Sequence, residues 1–266
     1  MGRRIAFLGG GRMGEALLAG VLRAGTEAGD VVVTEPSAAR AEHLQAEYGV
    51  RTVTANEGAV WADVLVVAVK PDVVGAVLDE VSAAVDPATL VVSIAAGIST
   101  AAIEGRLVAG VPVIRAMPNT PAFVGAAMTA ISAGSSADAD DLDRAEALLA
   151  TVGEVVRVPE SKQDAVVAVS GSGPAYFFYV VEAMVDSGVR LGLTRDVARR
   201  LAVQTAVGAA TLMHETGEHP TVLRENVTSP GGTTAAAIAR LDEHGVKAAI
   251  DAAMQAARDR SASLSG

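Results

Sequence analysis

Short apolar runs alternate with longer mixed stretches over the first 160 residues of the chain. The strand runs are apolar at consecutive positions, which is typical of parallel strands buried on both faces. Together with the stretches between them, they predict a doubly wound α/β sheet covered by helices. The predicted strands lie at 5–8, 31–34, 51–53, 64–69, 90–94 and 111–116. The predicted helices lie near 13–24, 38–48, 71–84 and 100–107, with Ser37 and Ser99 as N-caps.

The pattern changes near residues 158–161, because no later segment is strand-like. Phe177, Val181 and Met184 follow helical spacing, and similar spacing recurs near the end of the chain. We therefore expect an α/β domain at 1–160 and an all-α domain at 161–266. The helix predicted at 197–213 is Ala-rich and apolar on most sides, which indicates burial against a second subunit.

The composition narrows the possible functions. The 266 residues carry a formal net charge of −10, include no Cys and are 50% hydrophobic. The missing Cys excludes disulfides, thiolate metal sites and Cys nucleophiles, and the acidic balance argues against a nucleic-acid partner. His214 and His219 are five residues apart, the wrong spacing for two metal ligands on one helix. The longest apolar runs are far shorter than the roughly 18 residues that span a bilayer, and residues 1–8 lack a signal-peptide pattern, so we expect a cytoplasmic protein with no metal and no membrane partner.

The clearest motif is Gly9-Gly10-Gly11-Arg12-Met13-Gly14, which contains G-x-G-x-x-G between a predicted strand and a predicted helix. Gly9 permits a tight turn, Gly11 lets a pyrophosphate approach the backbone, and Gly14 allows close helix packing. The start of the helix adds unpaired N–H groups and the positive end of its dipole. In this context the motif predicts a dinucleotide site in a Rossmann-like domain.

Two features disagree about which dinucleotide binds. Glu35 lies at the end of the second strand, 21 residues after Gly14, where an acid would hold the ribose of NAD. Arg12 and Arg40 are instead placed to meet the 2′-phosphate of NADP. Both cofactors remain open on this pattern.

Further candidate contacts follow the ends of later strands, where ligands bind in open α/β sheets. Ala68-Val69-Lys70 closes the fourth strand, which brings Lys70 toward a phosphate or a ribose. Small residues around Ala96, after the fifth strand, leave room for a flat nicotinamide ring. Asn56 precedes a short predicted helix and is either its N-cap, the more economical interpretation, or a cofactor contact.

The helical half opens with Ser170-Gly171-Ser172-Gly173-Pro174-Ala175-Tyr176, in which Pro174 suits a first helical turn. Two-domain enzymes of the hydroxyacid dehydrogenase type carry their catalytic Lys in a comparable helix. The corresponding residue here is Phe177. A hydroxyacid dehydrogenase would therefore lack its acid/base group in this chain.

A second glycine motif is Ser229-Pro230-Gly231-Gly232-Thr233-Thr234, which precedes an Ala-rich helix. We expect Ser229 to cap the helix and Pro230 to be its first residue, with Gly231 and Gly232 in the first turn. Each helical Gly costs about 1 kcal/mol relative to Ala. This cost favours a turn whose N–H groups bind an anion, such as a carboxylate, over an ordinary capped turn.

Together with Arg115-Ala116-Met117-Pro118-Asn119-Thr120-Pro121, these motifs resemble pyrroline-5-carboxylate reductase over essentially the whole chain. The stretch 227–234 is the most specific part of the match. The resemblance implies reduction of 1-pyrroline-5-carboxylate to L-proline with NADPH or NADH, the last step of proline biosynthesis. It also implies a Rossmann domain joined to a helical dimerisation domain, in homodimers that often assemble into decamers.

The resemblance further implies a substrate carboxylate on the 231–234 turn, with the catalytic hydroxyl of Thr234 near the ring nitrogen. Because Thr is a poor proton donor, we expect Thr234 to orient a substrate that enters already protonated. The family favours NADP(H), and NAD(H) stays possible because Glu35 stands where some members have a serine or a basic residue. The implied cofactor-binding residues are Leu8, Gly9, Gly10, Gly11, Arg12, Met13, Thr34, Asn56, Ala68, Val69, Lys70, Ala96 and Asn226. The implied substrate-binding residues are Ser229, Gly231, Gly232, Thr233 and Thr234.

Two alternative functions are open from sequence. One is a related imine or hydroxyacid dehydrogenase with the same two-domain architecture. The other is a module that senses NAD(P) without catalysis, although the chain has no basic helix that would serve a DNA-reading domain.

Overall fold

The structure is a computed structural model that describes residues 4–264. These residues form two compact units. One contains the chain up to Ser172 together with the stretch from Ala257 onward, and the other is Gly173–Ala256. The functional division between residues 160 and 161 stays a prediction.

The first unit is built on one eight-stranded sheet with the order β3-β2-β1-β4-β5-β6-β7-β8. Its strands are β1 (Ile5–Leu8), β2 (Val31–Thr34), β3 (Arg51–Thr52), β4 (Val64–Val67), β5 (Leu90–Ser93), β6 (Val113–Met117), β7 (Ala127–Ala133) and β8 (Gly153–Arg157). Strands β1 to β6 are parallel, β7 pairs antiparallel with β6, and β8 pairs parallel with β7. The six predicted strands are confirmed, with ends that differ by at most two residues.

Helices cover both faces of this sheet. Successive residues of β1 point to opposite faces, and Phe7 and Leu8 are buried in two separate apolar clusters. This double burial explains why the strand runs are apolar at consecutive positions, and it confirms the doubly wound α/β fold. The helices of this unit are α1 (Arg12–Arg23), α2 (Ala38–Tyr48), α3 (Ala55–Trp61), α4 (Pro71–Val81), α5 (Thr100–Glu104), α6 (Ala139–Leu149) and α7 (Gln163–Val166).

The helix starts differ in how they are capped. Ser99 caps α5 as predicted, because its hydroxyl accepts a hydrogen bond from the N–H of Ala102. Ser37 occupies the N-cap position of α2, but its side chain makes no capping bond. The interpretation of Asn56 as an N-cap is wrong: Thr54 caps α3 in a reciprocal capping box with Glu57, and Asn56 lies inside the first turn.

The second half of the described chain is helical, and no strand follows β8 up to residue 264, as predicted. Apart from a small cluster of Val185, Ala198 and Ala202, little of its apolar surface is buried within the chain. Phe177, 63% exposed, and Leu201, 55% exposed, are typical of the large apolar side chains that face outward. The helices are α8 (Gly173–Arg190), α9 (Arg195–Thr216), α10 (Pro220–Asn226), α11 (Thr233–Glu243) and α12 (Val246–Leu264).

One helical stretch, Glu160–Arg190, is long and apolar enough to cross a membrane by length and composition alone. Core helices of soluble proteins pass the same test. Exposed apolar side chains on such a helix are equally typical of a subunit interface.

Candidate active site

The cofactor candidates converge at the carboxyl ends of β1, β2 and β4. Because β1 lies between β2 and β4, this edge is the point at which the strand order reverses and where open α/β sheets bind dinucleotides. The N–H of Gly9 donates to the carbonyl oxygen of Thr34 at 2.9 Å, and the N–H of Ala68 donates to that of Leu8 at 2.8 Å. Four of the predicted contacts, Leu8, Gly9, Thr34 and Ala68, are thereby neighbours.

The three glycines of the fingerprint differ in what surrounds them. Gly9 has a φ of +103°, and a Cβ there would lie 2.8 Å from the carbonyl oxygen of Ala68. A Cβ on Gly14 would lie 2.6 Å from the carbonyl oxygen of Gly9, so α1 packs closely on the loop. At Gly11, the N-cap of α1, a Cβ would meet no heavy atom within 4 Å. The open space therefore lies at the helix start, where N–H groups are unpaired and an anion is favoured.

A carboxylate supports this loop from the end of β2. Glu35 accepts hydrogen bonds at 3.0 Å from the N–H of Gly10 and from the N–H of Ser37. A Cβ on Gly10 would also collide with the side chain of Leu44. A larger residue at position 10 would have to displace the buried side chain of Leu44, a constraint for which the sequence pattern gives no signal.

Arg12 and Arg40, the two arginines predicted to meet a 2′-phosphate, both have protein partners. Arg40 donates through Nε to the carbonyl oxygen of Gly10 at 2.7 Å and pairs with Glu15. Burial raises the pKa of Glu15, but hydrogen bonds from Arg40, His43 and Tyr48 outweigh this effect and leave the pKa below its usual range. The guanidinium of Arg12 lies 5.0 Å from the centre of the Phe123 ring, in a cation–π contact. Glu15 is a part of this site that sequence patterns did not single out.

Three further cofactor candidates of the first unit are exposed, whereas Met13 and Val69 are partly buried against the apolar clusters. Lys70 is exposed at the N-cap of α4, with Pro71 as the first helical residue. Ala96 is exposed in the loop after β5, and Asn56 is exposed in the first turn of α3. All three follow the carboxyl ends of parallel strands, the edge of the sheet to which Gly11 belongs.

The second unit carries the other glycine turn. Gly231 has a φ of +70°, which a helix does not allow, and Gly232 is the extended N-cap of α11. The predicted helix start at Ser229 and Pro230 is therefore wrong, because the helix begins at Thr233. The N–H of Gly232 donates to the carbonyl oxygen of Ser229 at 3.0 Å and closes the turn.

The corrected start of α11 still provides donors for an anion. The N–H groups of Thr233, Thr234 and Ala235 lie in the first helical turn, where a helix offers them no acceptor. Gly231 and Thr233 are exposed and Thr234 is partly exposed. Asn226 ends α10 on the other side of the turn, and it is exposed as well. The arrangement can hold a carboxylate by backbone N–H groups, with hydroxyl groups beside it.

Two family models match the chain. Pyrroline-5-carboxylate reductase dimerisation matches residues 160–264, and NADP oxidoreductase, coenzyme F420-dependent, matches residues 4–97. The pyrroline-5-carboxylate reductase of Corynebacterium melassecola is 47% identical over 264 residues, which are 98% of this chain and 98% of that protein. The enzyme of the same name from Mycobacterium tuberculosis is 45% identical over 284 residues, 98% of this chain and 96% of that protein.

Solved structures agree with these relatives. A pyrroline-5-carboxylate reductase from Coxiella burnetii has a TM-score of 0.95 and 36% identity, with 100% of both chains covered. A Plasmodium falciparum pyrroline carboxylate reductase with NADP bound has a TM-score of 0.88 and 27% identity, covering 99% of this chain and 98% of that one. The matched fold, the two glycine turns and the full-length identities lead to one conclusion: the chain belongs to the pyrroline-5-carboxylate reductase family.

Proposed function

We propose that this chain reduces 1-pyrroline-5-carboxylate to L-proline with a reduced nicotinamide dinucleotide, as the last step of proline biosynthesis. The observation that carries the proposal is the 47% identity to a pyrroline-5-carboxylate reductase over nearly the full length of both proteins. The glycine turn before α11 supports it, because a substrate with a carboxylate needs such an anion site.

The open space at Gly11, where a Cβ would meet no heavy atom within 4 Å, is proposed to take the pyrophosphate of a dinucleotide. When bound, the reduced nicotinamide supplies the hydride. Lys70 adds a positive charge near the phosphates or the ribose, and Ala96 leaves room for the nicotinamide ring. The proposed cofactor-binding residues are Leu8, Gly9, Gly10, Gly11, Arg12, Met13, Thr34, Asn56, Ala68, Val69, Lys70, Ala96 and Asn226.

The substrate carboxylate is proposed to bind the turn that leads into α11. The turn's glycines leave its backbone accessible, and the hydroxyl of Thr234 is assigned to the ring nitrogen. The proposed substrate-binding residues are Ser229, Gly231, Gly232, Thr233 and Thr234. The helix dipole adds to the N–H groups in favouring a negative charge.

The reaction adds a hydride to the carbon of the C=N bond and requires a proton on the nitrogen. A protonated imine is the better hydride acceptor, and a Thr hydroxyl is a poor acid near neutral pH. Thr234 is therefore proposed to accept a hydrogen bond from the N–H of a substrate that is already protonated. Its contribution is orientation of the ring, for which no catalytic Lys, His or Cys is needed.

NADP(H) is the proposed preferred cofactor. Glu35 uses both carboxylate oxygens on backbone N–H groups of the protein, so its position has a structural cause that needs no NAD ribose. Ser37, the N-cap residue of α2, lies beside it, and its hydroxyl makes no capping hydrogen bond. The Plasmodium falciparum relative was solved with NADP bound.

The proposed assembly is a homodimer through the helical domain, with further association into a decamer. Its support is the match to a dimerisation domain over residues 160–264 and the apolar side chains left exposed on α8 and α9. The protein is proposed to act in the cytoplasm on a small molecule, with no nucleic-acid or membrane partner. The formal charge of −10 is consistent with the absence of a nucleic-acid partner.

Steady-state kinetics test the proposed function. Wild-type protein is expected to oxidise NADPH only when 1-pyrroline-5-carboxylate is present, with a higher kcat/KM for NADPH than for NADH. Thr234→Ala is expected to lower kcat about 10- to 100-fold through lost orientation, with the Kd of NADPH unchanged within about twofold.

The matched control is Thr26→Ala, which removes a Thr hydroxyl from the loop at the amino-terminal edge of the sheet. It is expected to retain wild-type kcat. Wild-type protein that binds NADPH without oxidising it would contradict the proposed function. Unchanged kcat in Thr234→Ala would remove only Thr234 from the mechanism.

A further inference from the structure

The side chain of Asn119 joins two motifs that the proposed function leaves without a role. Its Nδ2 donates to both the carbonyl oxygen and the hydroxyl of Ser170, each at 3.2 Å. Its Oδ1 accepts the N–H of Met128 at 2.9 Å. The amide thus connects the end of β6, the start of β7 and the Ser170 motif, which lies 51 residues along the chain. All of these residues belong to the first compact unit.

The Ser170 end of this connection is a π-helical turn over Val167–Gly171. Its wide turn is closed by the N–H of Ser172, which donates to the carbonyl oxygen of Val167 at 2.8 Å. Single π-helical turns are rare and occur frequently at functional sites. A Cβ added to Gly171 would lie 2.9 Å from Cε of Met117, so this turn packs against the end of β6.

The sheet order determines which part of the cofactor site is nearest. Strands β4, β5 and β6 are parallel neighbours, so their carboxyl ends lie side by side at one edge. The proposed pyrophosphate contacts follow β1 and β4, and the proposed nicotinamide contact, Ala96, follows β5. The end of β6, with Met117 and Asn119, is next in this order. The π-helical turn therefore lies beyond the nicotinamide end of the proposed site.

We propose that Asn119 is a positioning residue for hydride transfer. Its amide holds the π-helical turn against the end of β6 and so fixes the protein wall beside the nicotinamide ring. The inference rests on the proposed function. Asn suits this position because Nδ2 has two N–H donors for Ser170 and Oδ1 is an acceptor for Met128. An Asp of equal size would keep the acceptor but place a carboxylate oxygen against the carbonyl of Ser170.

The test compares Asn119→Asp with wild type and with a stability control, Thr89→Val. Thr89 is 2% exposed, and its hydroxyl donates to the carbonyl oxygen of Ala62 at 3.1 Å, so Thr89→Val also removes one buried hydrogen bond of the first unit. Asn119→Asp is expected to lower kcat about 10- to 100-fold, because misplacement by about 1 Å has effects of this size. The Kd of NADPH, measured without substrate, is expected to stay within about twofold.

A purely structural role would not change the isotope effect on hydride transfer. NADPH deuterated at the transferred position is expected to give a larger primary isotope effect on kcat with Asn119→Asp than with wild type. Thr89→Val is expected to keep the wild-type kcat and isotope effect, even if it lowers the Tm by as much as Asn119→Asp does. Equal kcat and isotope effect in Asn119→Asp and wild type would overturn the proposal.

Ser170→Ala keeps the test decisive if Asn119→Asp does not fold. This variant removes the hydroxyl acceptor and leaves the carbonyl of Ser170, so a two- to fivefold lower kcat with unchanged Kd of NADPH is expected. If Asn119→Asp does not fold and folded Ser170→Ala has the wild-type kcat, the proposal is overturned. Failure of the proposed function would be recognised separately, because wild-type protein itself would then not reduce 1-pyrroline-5-carboxylate.

Discussion

Glu160 shows how single side chains hold the first unit together. It accepts hydrogen bonds from the N–H of Thr100 at 2.8 Å and from its hydroxyl at 2.6 Å, and it pairs with Arg115 at 3.2 Å. Arg115 is only 6% exposed, so Glu160 balances a buried positive charge. Burial raises the pKa of Glu160, but the bonds from Thr100 and Arg115 outweigh it and leave the pKa below its usual range.

This lowered pKa predicts acid-sensitive stability. The stabilisation is complete above the unfolded-state pKa, about 4.3, and is lost as the pH falls through the lower folded-state value. Glu160→Gln is expected to lower the free energy of unfolding at pH 7 by about 2 kcal/mol, since Arg115 loses its charged partner. Between pH 7 and pH 3 it is expected to lose less stability than wild type in urea denaturation. Exposed Glu80→Gln is the control, and a Glu160→Gln profile parallel to wild type would refute the assignment.

At the scale of the element, two glycines of the β1–α1 loop are predicted to have different roles, one in helix packing and one in ligand binding. A Cβ at Gly14 would meet the backbone of Gly9, whereas a Cβ at Gly11 would enter open space. Both positions are glycines of one fingerprint, so they form a matched pair for mutation. A substitution at Gly14 tests how α1 packs on the loop, and a substitution at Gly11 tests whether a ligand binds in the open space.

Gly14→Ala is expected to lower the free energy of unfolding by about 1–3 kcal/mol, since overpacking has this cost. Gly11→Ala is expected to cost less than about 1 kcal/mol as an N-cap change, yet to weaken NADPH binding at least tenfold because its methyl group would enter the space proposed for the pyrophosphate. Urea denaturation and NADPH titration measure the two effects. Wild-type NADPH affinity in Gly11→Ala would show that the open space is not the cofactor's.

The sequence pattern predicts elements well where one residue class determines them. Strands β1, β2, β4 and β5 are apolar runs buried almost throughout, and all six predicted strands are present, including the short β3, in which Arg51 is exposed. The pattern fails at β7, whose sequence Ala-Met-Thr-Ala-Ile-Ser-Ala is mostly small, and at edge strand β8, which has exposed residues. It also does not predict α6. These elements depend on pairing and packing with distant parts of the chain.

Site residues too are predictable from sequence where a local pattern determines them, and not where contacts between distant parts of the chain do. The glycine fingerprint is predictable because its spacing reflects a local turn. The roles of Glu35 and Arg40 as partners of the Gly10 backbone are not, because they depend on contacts 25 and 30 residues apart. The predicted start of α11 at Ser229-Pro230 is wrong because these residues have the composition of a helix start, whereas the φ of +70° at Gly231 is a property of the folded turn.

At the scale of the whole molecule, the exposed side chains of α9 indicate what the helical domain contacts. Leu201 and Val207 are 55% and 53% exposed, although they lie in a domain that matches a dimerisation family. Apolar surface of this kind is stabilised by burial against another copy. The family match and the exposure therefore point to the same interface.

Light scattering tests this assembly. Wild-type protein is expected to have twice or ten times the 26.8 kDa mass of one chain. Leu201→Glu with Val207→Glu is expected to shift it to smaller species, because charges in an apolar interface are costly to desolvate. Val108→Glu, at a 46% exposed position of the first unit, is the control and should keep the wild-type mass. A monomeric wild type would contradict the proposed dimer.

The transfer of deuterium from NADPH into proline tests the proposed reaction most directly. Wild-type protein is incubated with 1-pyrroline-5-carboxylate and NADPH deuterated at one face of nicotinamide C4, and then at the other. We expect one of the two to give L-proline with deuterium on the carbon of the former C=N bond, with one proline per NADPH oxidised, as measured by mass spectrometry and NMR. NADPH oxidation without proline, or proline without deuterium from either face, would contradict direct hydride transfer to this substrate.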